Sequence, residues 1–413
     1  MTKNFRSKKF FSIHNLATPT IFIFGIVMVL LIFSYVLFLM RGKFAFGTDF
    51  IHFYTAAQIV KEGKGSSLYK VDVQRSFQLK LIKKYLGEEL TFSESKPVAM
   101  FMNPPFVVLF YLPFSLMEYD VGYISFLALN IFFLWMLIFL SSRYFKKINR
   151  LFLYISPPLF LPVIGTLFMG QPTLILAIVT LFIFLSLTRK KTFQAGIFTA
   201  LFLIKPQFMI ITPFLYILVQ DKRRFVLGFL SMLAILVGIS ILISGITPTL
   251  SDYIHIIAAG QDYWKYDPQA VKMVSLNGLL AFIFRGWLYG YKSIGLNVVC
   301  YFVAILVFIR NPRNAKFGHR FLIAVFFTLL FSGHTLLHDL VILLPPLFAL
   351  LDSKVMITRK IFLTLSLFFA TSLSFWWGLV PTIIVMLVFS FSLVLGLVDK
   401  QVINANKSLE PSP

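Results

Sequence analysis

The chain has 413 residues, of which 58% are hydrophobic, 17% aromatic and only 13% charged. Soluble domains carry about 25% charged residues, and runs of roughly 20 apolar residues, the length that crosses a bilayer as a helix, recur here from end to end. A soluble enzyme is excluded, and the scarcity of period-two alternation argues against a membrane β-barrel.

The net charge of +22 does not imply nucleic acid, because the basic residues sit in short connections between apolar runs, as expected of cytoplasmic turns. Cys300 is the single cysteine, so no intramolecular disulfide is available.

The N-terminus is basic (Lys3, Arg6, Lys8, Lys9) and is assigned to the cytoplasm. The apolar run at 20–40 is too long for a signal h-region, and no small-residue cleavage site follows it. It reads as a retained first span. Residues 41–98 then form an external loop. Within it a helix is expected from Asp49 to Lys61, capped by Thr48 or Asp49, with Phe50, Phe53, Tyr54, Ala57 and Val60 on one face. A second is expected from Val71 to Leu86, with Val71, Phe77, Leu79, Leu81 and Ile82 among lysines. Both are expected to lie on the outer membrane surface, aromatic side down.

Residues 101–117 are apolar but short and broken by Pro104, Pro105 and Pro113. Whether they cross stays open: 121–142 is a clear span ending at Arg143, Lys146, Lys147 and Arg150, and two crossings would put that basic turn outside. Spans near 151–169 and 173–188 hinge at Gly170-Gln171-Pro172, and 193–219 is interrupted at Lys205-Pro206-Gln207. Residues 225–244 cross outward to a second external loop at 245–275. Further spans are read near 276–290, 294–310, 319–333, 339–351, 360–376 and 379–398. The expectation is an all-α polytopic bundle of about 11 to 13 spans. It forms a single membrane domain over 1–400, with a polar tail at 401–413.

Ionisable groups inside a membrane are costly, so each one is a functional candidate. By this topology Asp49 with His52, Gln171, Lys205 with Gln207, and His334, His338 and Asp339 gather at the outer side. Arg285 and the Ser275-Leu276-Asn277-Gly278 turn are placed to join them. Asp49, in an aromatic setting, is suited to take a proton from an attacking hydroxyl; the alternative is an N-cap on backbone amides. Lys205 suits a phosphate at the membrane edge, or it is a snorkelling or ion-paired lysine. Gln171 would bond a sugar hydroxyl or only satisfy the broken backbone. The i, i+4 spacing of His334 and His338 puts both on one helical face, as zinc sites do. The glutamate of the H-E-x-x-H motif is missing, so phosphate or sugar contact, or a structural pair, competes with metal. No Walker loop, dinucleotide fingerprint or G-x-S-x-G elbow occurs.

G-T-D-F-I-H-F-Y-T-A-A-Q-I-V-K-E-G-K-G-S-S-L-Y at 47–69 resembles the opening motif of glycosyltransferase family 87, the polyprenol-phosphate-mannose-dependent α-mannosyltransferases of the GT-C class. The resemblance continues in order with N-P-P-F at 103–106, G-Q-P-T at 170–173, A-G at 195–196, L-I-K-P-Q at 203–207, S-L-N-G-L at 275–279 and H-D-L-V-I-L-L-P-P at 338–346. Asn103 stands where the family carries an aromatic, and Thr173 where a polar amide is common.

The resemblance implies a GT-C fold with surface-lying helices of the first external loop over the site, and a polyprenyl-phosphate hexose, most often mannose, as donor. It implies Asp49 as general base and no metal cofactor. The resulting expectation is an inverting membrane glycosyltransferase, in a bacterial inner membrane with an external active site, acting on a glycolipid or glycan acceptor. Lys205, His334, His338, Gln171 and Arg285 would hold donor phosphate or sugar, with His52, Tyr54, Asn103, Gln207, Asn277 and Asp339 as further site candidates. The partners are the bilayer, donor and acceptor, without nucleic acid. The rivals are a lipid or glycan transporter, which would place such residues at the midplane between repeats, and a ligase using a diphosphate lipid.

Overall fold

The computed structural model describes residues 48–86, 99–257, 273–284, 291–310 and 317–353, with Leu367 and Thr371. The expected spans at 20–40, 360–376 (those two residues apart) and 379–398, the tail at 401–413 and Arg285 lie outside them. Among the described residues every regular element is helical, and the protein is an all-α polytopic membrane protein.

The first described elements are α1 (Phe50–Lys61) and α2 (Val71–Leu86). Contrary to the surface-lying expectation, α1 is part of the core: Phe50, Phe53, Ala57 and Ile59 are fully buried. Phe50 sits within 5.3–6.1 Å of the rings of Tyr54, Tyr111, Tyr119, Tyr123 and Phe126, and Phe53 stacks on Tyr111 at 4.3 Å. The aromatic face therefore meets protein rather than lipid.

In α2 the buried positions are Gln74 and Gln78, while Val71 and Leu79 are exposed. Gln74 accepts from the Phe101 N–H at 2.8 Å and donates to the Leu68 carbonyl at 2.8 Å. Gln78 donates to the Ala99 carbonyl at 2.6 Å. These glutamines satisfy backbone that no strand would otherwise pair, while Phe77, Leu81 and Ile82 of the expected apolar face pack partly buried against the core. The C-terminal end of α2 is fastened to Glu118 by Lys84 at 2.6 Å and by the Tyr85 hydroxyl.

The run 101–117 is broken into single turns at Pro105–Val107, Val108–Tyr111 and Phe114–Leu116. Prolines interrupt the amide ladder, so no span-length helix forms there. The next helix, α3 (Tyr119–Tyr144), and α9 (Lys222–Ser244) are the two described helices long and apolar enough to cross a bilayer. Between them lie α4 (Arg150–Leu159), α5 (Leu161–Met169), α6 (Thr173–Thr188), α7 (Thr192–Ala200) and α8 (Thr212–Leu218). The expected span at 151–169 is bent by 51° between α4 and α5, where Pro157, Pro158 and Pro162 crowd around Phe160.

The remainder is α10 (Leu276–Phe284), α11 (Tyr291–Arg310), α12 (Phe317–Phe331), a 3₁₀ turn at Leu337–Leu343 and α13 (Leu344–Asp352). Most membrane-length segments are thus assembled from short pieces, and the count of full-length crossings read from hydropathy is not reproduced by single helices among the described residues.

The tightest helix pair is α7 against α9. A Cβ on Gly196 would fall 2.1 Å from the Phe225 carbonyl oxygen, and one on Gly228 would fall 2.1 Å from that of Phe193. Two reciprocal glycines let the backbones touch, the device by which membrane helices gain packing without a hydrophobic drive between them. This pairing packs α7 closely against α9 just ahead of the Leu201–Ile204 turn and Lys205.

Candidate functional site

Asp49 occupies the N-cap position of α1, yet its side chain makes no capping bond. Its Oδ2 instead accepts from Gln171 Nε2 at 2.6 Å. Thr48, one residue earlier, is hydrogen-bonded to the Tyr119 side chain, and Phe50, one residue later, is locked among aromatics. The carboxylate is released from helix capping and held between two fixed neighbours.

Gln171 owes its place to the break between α5 and α6. Gly170 adopts the left-handed conformation (φ 67°). The amides of Gly170 and Gln171 bond back to Leu167 and Thr166 in a Schellman closure, and Pro172 precedes the first residue of α6. The Tyr111 hydroxyl donates to the Gly170 carbonyl at 3.2 Å, and Phe50 packs where a side chain at 170 would go. Gln171 is 6% exposed.

Lys205 lies between two 3₁₀ turns, Leu201–Ile204 and Pro206–Ile211. Pro206 disfavours helix at the preceding residue, and Lys205 is accordingly extended (φ −130°, ψ 88°). Its Nζ donates to Asp339 Oδ1 at 2.5 Å and lies 3.2 Å from His338 Nε2. The other carboxylate oxygen of Asp339 accepts the Leu336 amide at 2.9 Å. With the ammonium as donor, His338 Nε2 is the acceptor and the imidazole proton belongs on Nδ1. An ammonium has three N–H donors, so one remains beyond these two contacts. Thr166 on α5 donates to the His338 carbonyl at 3.0 Å, tying this half of the site to the helix that leads into Gln171.

The two halves share one electrostatic environment. His334 and His338 both feel the charges of Asp49, Lys205 and Asp339, and His52 feels Asp49 and Lys205. Burial depresses the His52 pKa to about 4; Asp49 opposes the shift and Lys205 adds to it. His52 is therefore neutral at physiological pH.

The remaining candidates divide. Asn277 joins the histidine loop: its Nδ2 donates to the Gly333 carbonyl at 3.1 Å, and the Val274 amide bonds Thr335 O at 2.6 Å. Asn103 donates to the Ile204 carbonyl at 2.8 Å and receives the Tyr69 hydroxyl on its own carbonyl at 2.7 Å. It thereby fixes the turn that carries Lys205. Tyr54 points its hydroxyl at the Met117 carbonyl (2.7 Å) and is braced by Gln58, a packing role for α1. Gln207 is partly buried in the turn after Pro206.

The expected shared helical face of His334 and His338 is not found. His334 lies in the non-helical link after α12, and His338 in the 3₁₀ turn. Thr335 bonds back to Leu329 and ends α12 before the first histidine. Among the described residues no group of three His, Cys, Asp or Glu side chains is placed to hold a metal ion. The supporting residues Thr166, Tyr111 and Tyr69 escape sequence reading. For Thr166 and Tyr111 the only signal is a hydroxyl in an apolar run, which must find a partner when buried; Tyr69 stands in the polar stretch that closes the 47–69 motif.

Residues 101–333, more than half of the chain, match glycosyltransferase family 87. The chain belongs to that family. No curated protein and no solved structure matches the chain. The family 87 match contains Asn103, Gln171, Lys205, Gln207, Asn277 and Arg285 and stops one residue before His334. Asp49 precedes the matched segment and Asp339 follows it, and the fold brings both carboxylates onto matched side chains, Gln171 and Lys205. The protein is a membrane glycosyltransferase, which removes the transporter reading.

Proposed function

We propose that this family 87 protein transfers a hexose, mannose in the first instance, from a polyprenyl-phosphate donor to a hydroxyl of a glycolipid or glycan acceptor. Asp49 is the general base. It takes the acceptor hydroxyl proton as that oxygen attacks the anomeric carbon, and the carbon–oxygen bond to phosphate breaks with its electron pair leaving on the phosphate. Attack opposite the phosphate inverts configuration, so a β-linked donor yields an α-linkage.

The observation that carries this reading is the Asp49 carboxylate itself. It caps no helix, is held by a neutral amide, and shares its surroundings with a lysine and two imidazoles. Hydrogen bonds from the remaining Lys205 proton and the His338 Nδ1–H, with His334, offset charge developing on the departing phosphate. Asp339 already neutralises Lys205, so the lysine serves as an oriented donor more than as a spare cation; Arg285 is assigned to the same phosphate. No divalent metal takes part.

The absence of a span-length helix over residues 101–117 supports a topology in which α3 runs from the outside to the cytoplasm, with Arg143, Lys146, Lys147 and Arg150 inside, in line with the positive-inside rule. The site then lies at the external face of a bacterial inner membrane, and the polyprenyl chain lies between helices within the bilayer. Incubation of membranes with radiolabelled polyprenyl-phosphate mannose, then with the corresponding glucose donor, tests the reading. Label should pass to glycolipid or glycan; label that never leaves the donor lipid would overturn it.

A further inference from the structure

The Gln171 carboxamide has two polar atoms, and only one is engaged. Nε2 donates to Asp49 Oδ2 at 2.6 Å, whereas Oε1 is buried without a hydrogen-bond partner among the described residues. Leaving a buried carbonyl oxygen unmet costs about 1–3 kcal/mol, and this one sits on backbone closed by the Gly170 turn and Pro172. The side chain cannot swing away to find water without giving up the Asp49 bond.

We infer that Gln171 positions the base and reads the acceptor, resting on the transfer reaction proposed above. The amide bond to Oδ2 leaves Asp49 Oδ1 as the atom that receives the proton. Oε1 belongs to the same planar carboxamide, one bond angle from the nitrogen that holds the carboxylate. A hydroxyl donating to Oε1 is therefore next to the hydroxyl being deprotonated. Two hydroxyls on adjacent carbons fit that spacing, so the acceptor is a 1,2-diol, as on a sugar ring or polyol. An isolated alcohol such as a serine or threonine side chain leaves Oε1 unmet.

The test uses purified full-length enzyme in lipid nanodiscs with polyprenyl-phosphate mannose and four acceptor probes: octyl α-mannoside, octyl β-glucoside, octan-1-ol and a serine/threonine peptide. Transfer should go to the glycosides, and mono-deoxy glycosides lacking the hydroxyl beside the attacked one should lose about tenfold in kcat/KM. Gln171→Ala should lower kcat by about a hundredfold through loss of base orientation and abolish the preference for the diol over its deoxy form. Gln171→Glu should move the acid limb of kcat/KM against pH upward, because two carboxylates at hydrogen-bond distance hold a proton between them. A purely structural glutamine would leave that limb in place. Equal use of diol and deoxy acceptors by the wild type, or transfer mainly to octanol or the peptide, overturns this inference while sparing the transferase reading. Failure to transfer to any probe or to membrane glycolipid sinks both.

Discussion

Lys205 and Asp339 stand 134 residues apart in the chain and meet at 2.5 Å, with side chains only 6% and 1% exposed. A buried pair of this kind contributes less to net stability than its Coulomb attraction implies, but leaving one partner alone is expensive. Lys205→Met or Asp339→Asn alone should destabilise the protein by about 3–5 kcal/mol. Lys205→Met combined with Asp339→Leu should regain much of that loss without regaining transfer. Thermal unfolding in detergent and a transfer assay on all three variants would separate the structural from the functional part of the pair.

Asp49→Asn keeps the shape of the side chain and can still accept from Gln171, so insertion and folding should be preserved. Transfer should fall by about 10²–10⁴-fold, the range lost with a general base. Near wild-type turnover of labelled donor by this variant would remove the base assignment.

His52 titrates near its ordinary value of 6.5 in the unfolded chain and at about 4 in the folded one. The unfolded state therefore binds the extra proton first, and stability drops as pH falls from about 6.5 to about 4. Above that window the contribution is complete. Melting temperatures measured from pH 7.5 down to 4 should show this decline, and His52→Asn should make it shallower.

Gly196→Ala or Gly228→Ala would drive a methyl group into a carbonyl oxygen of the facing helix. The expected loss is about 1–3 kcal/mol, the cost of overpacking, with weaker transfer because α7 leads into the Lys205 turn. A variant with unchanged melting temperature and activity would show that the two helices do not need this contact.

Metal removal should leave the rate unchanged. Full inhibition by EDTA, reversed by one divalent ion, would restore a metal role to His334 and His338.

The helical class and the two interruptions that build the site were legible in the sequence, because each rests on local chemistry. Glycine and proline mark the Gly170–Pro172 turn, and proline after Lys205 bars helix there. What local patterns could not supply was partnership. Nothing near Lys205 in the chain announces Asp339, and nothing near Asp49 announces Gln171. The amphipathic reading of α2 held only in part for a related reason: Phe77, Leu81 and Ile82 pack against the core, but Gln74 and Gln78, polar by composition, are spent on the backbone of residues 99–101, a demand visible only once that segment has a place. The zinc-like spacing of His334 and His338 likewise presumed a helix that ends before the first of them.

The burial of α1 has a bearing on how substrates come and go. A helix whose first ring is wedged among five others behaves as masonry, not as a hinged door, and Asp49 is mortared to its leading edge. In the proposed reaction, donor and acceptor therefore come to a carboxylate that its own helix holds in place, and any room for them is made by the other walls.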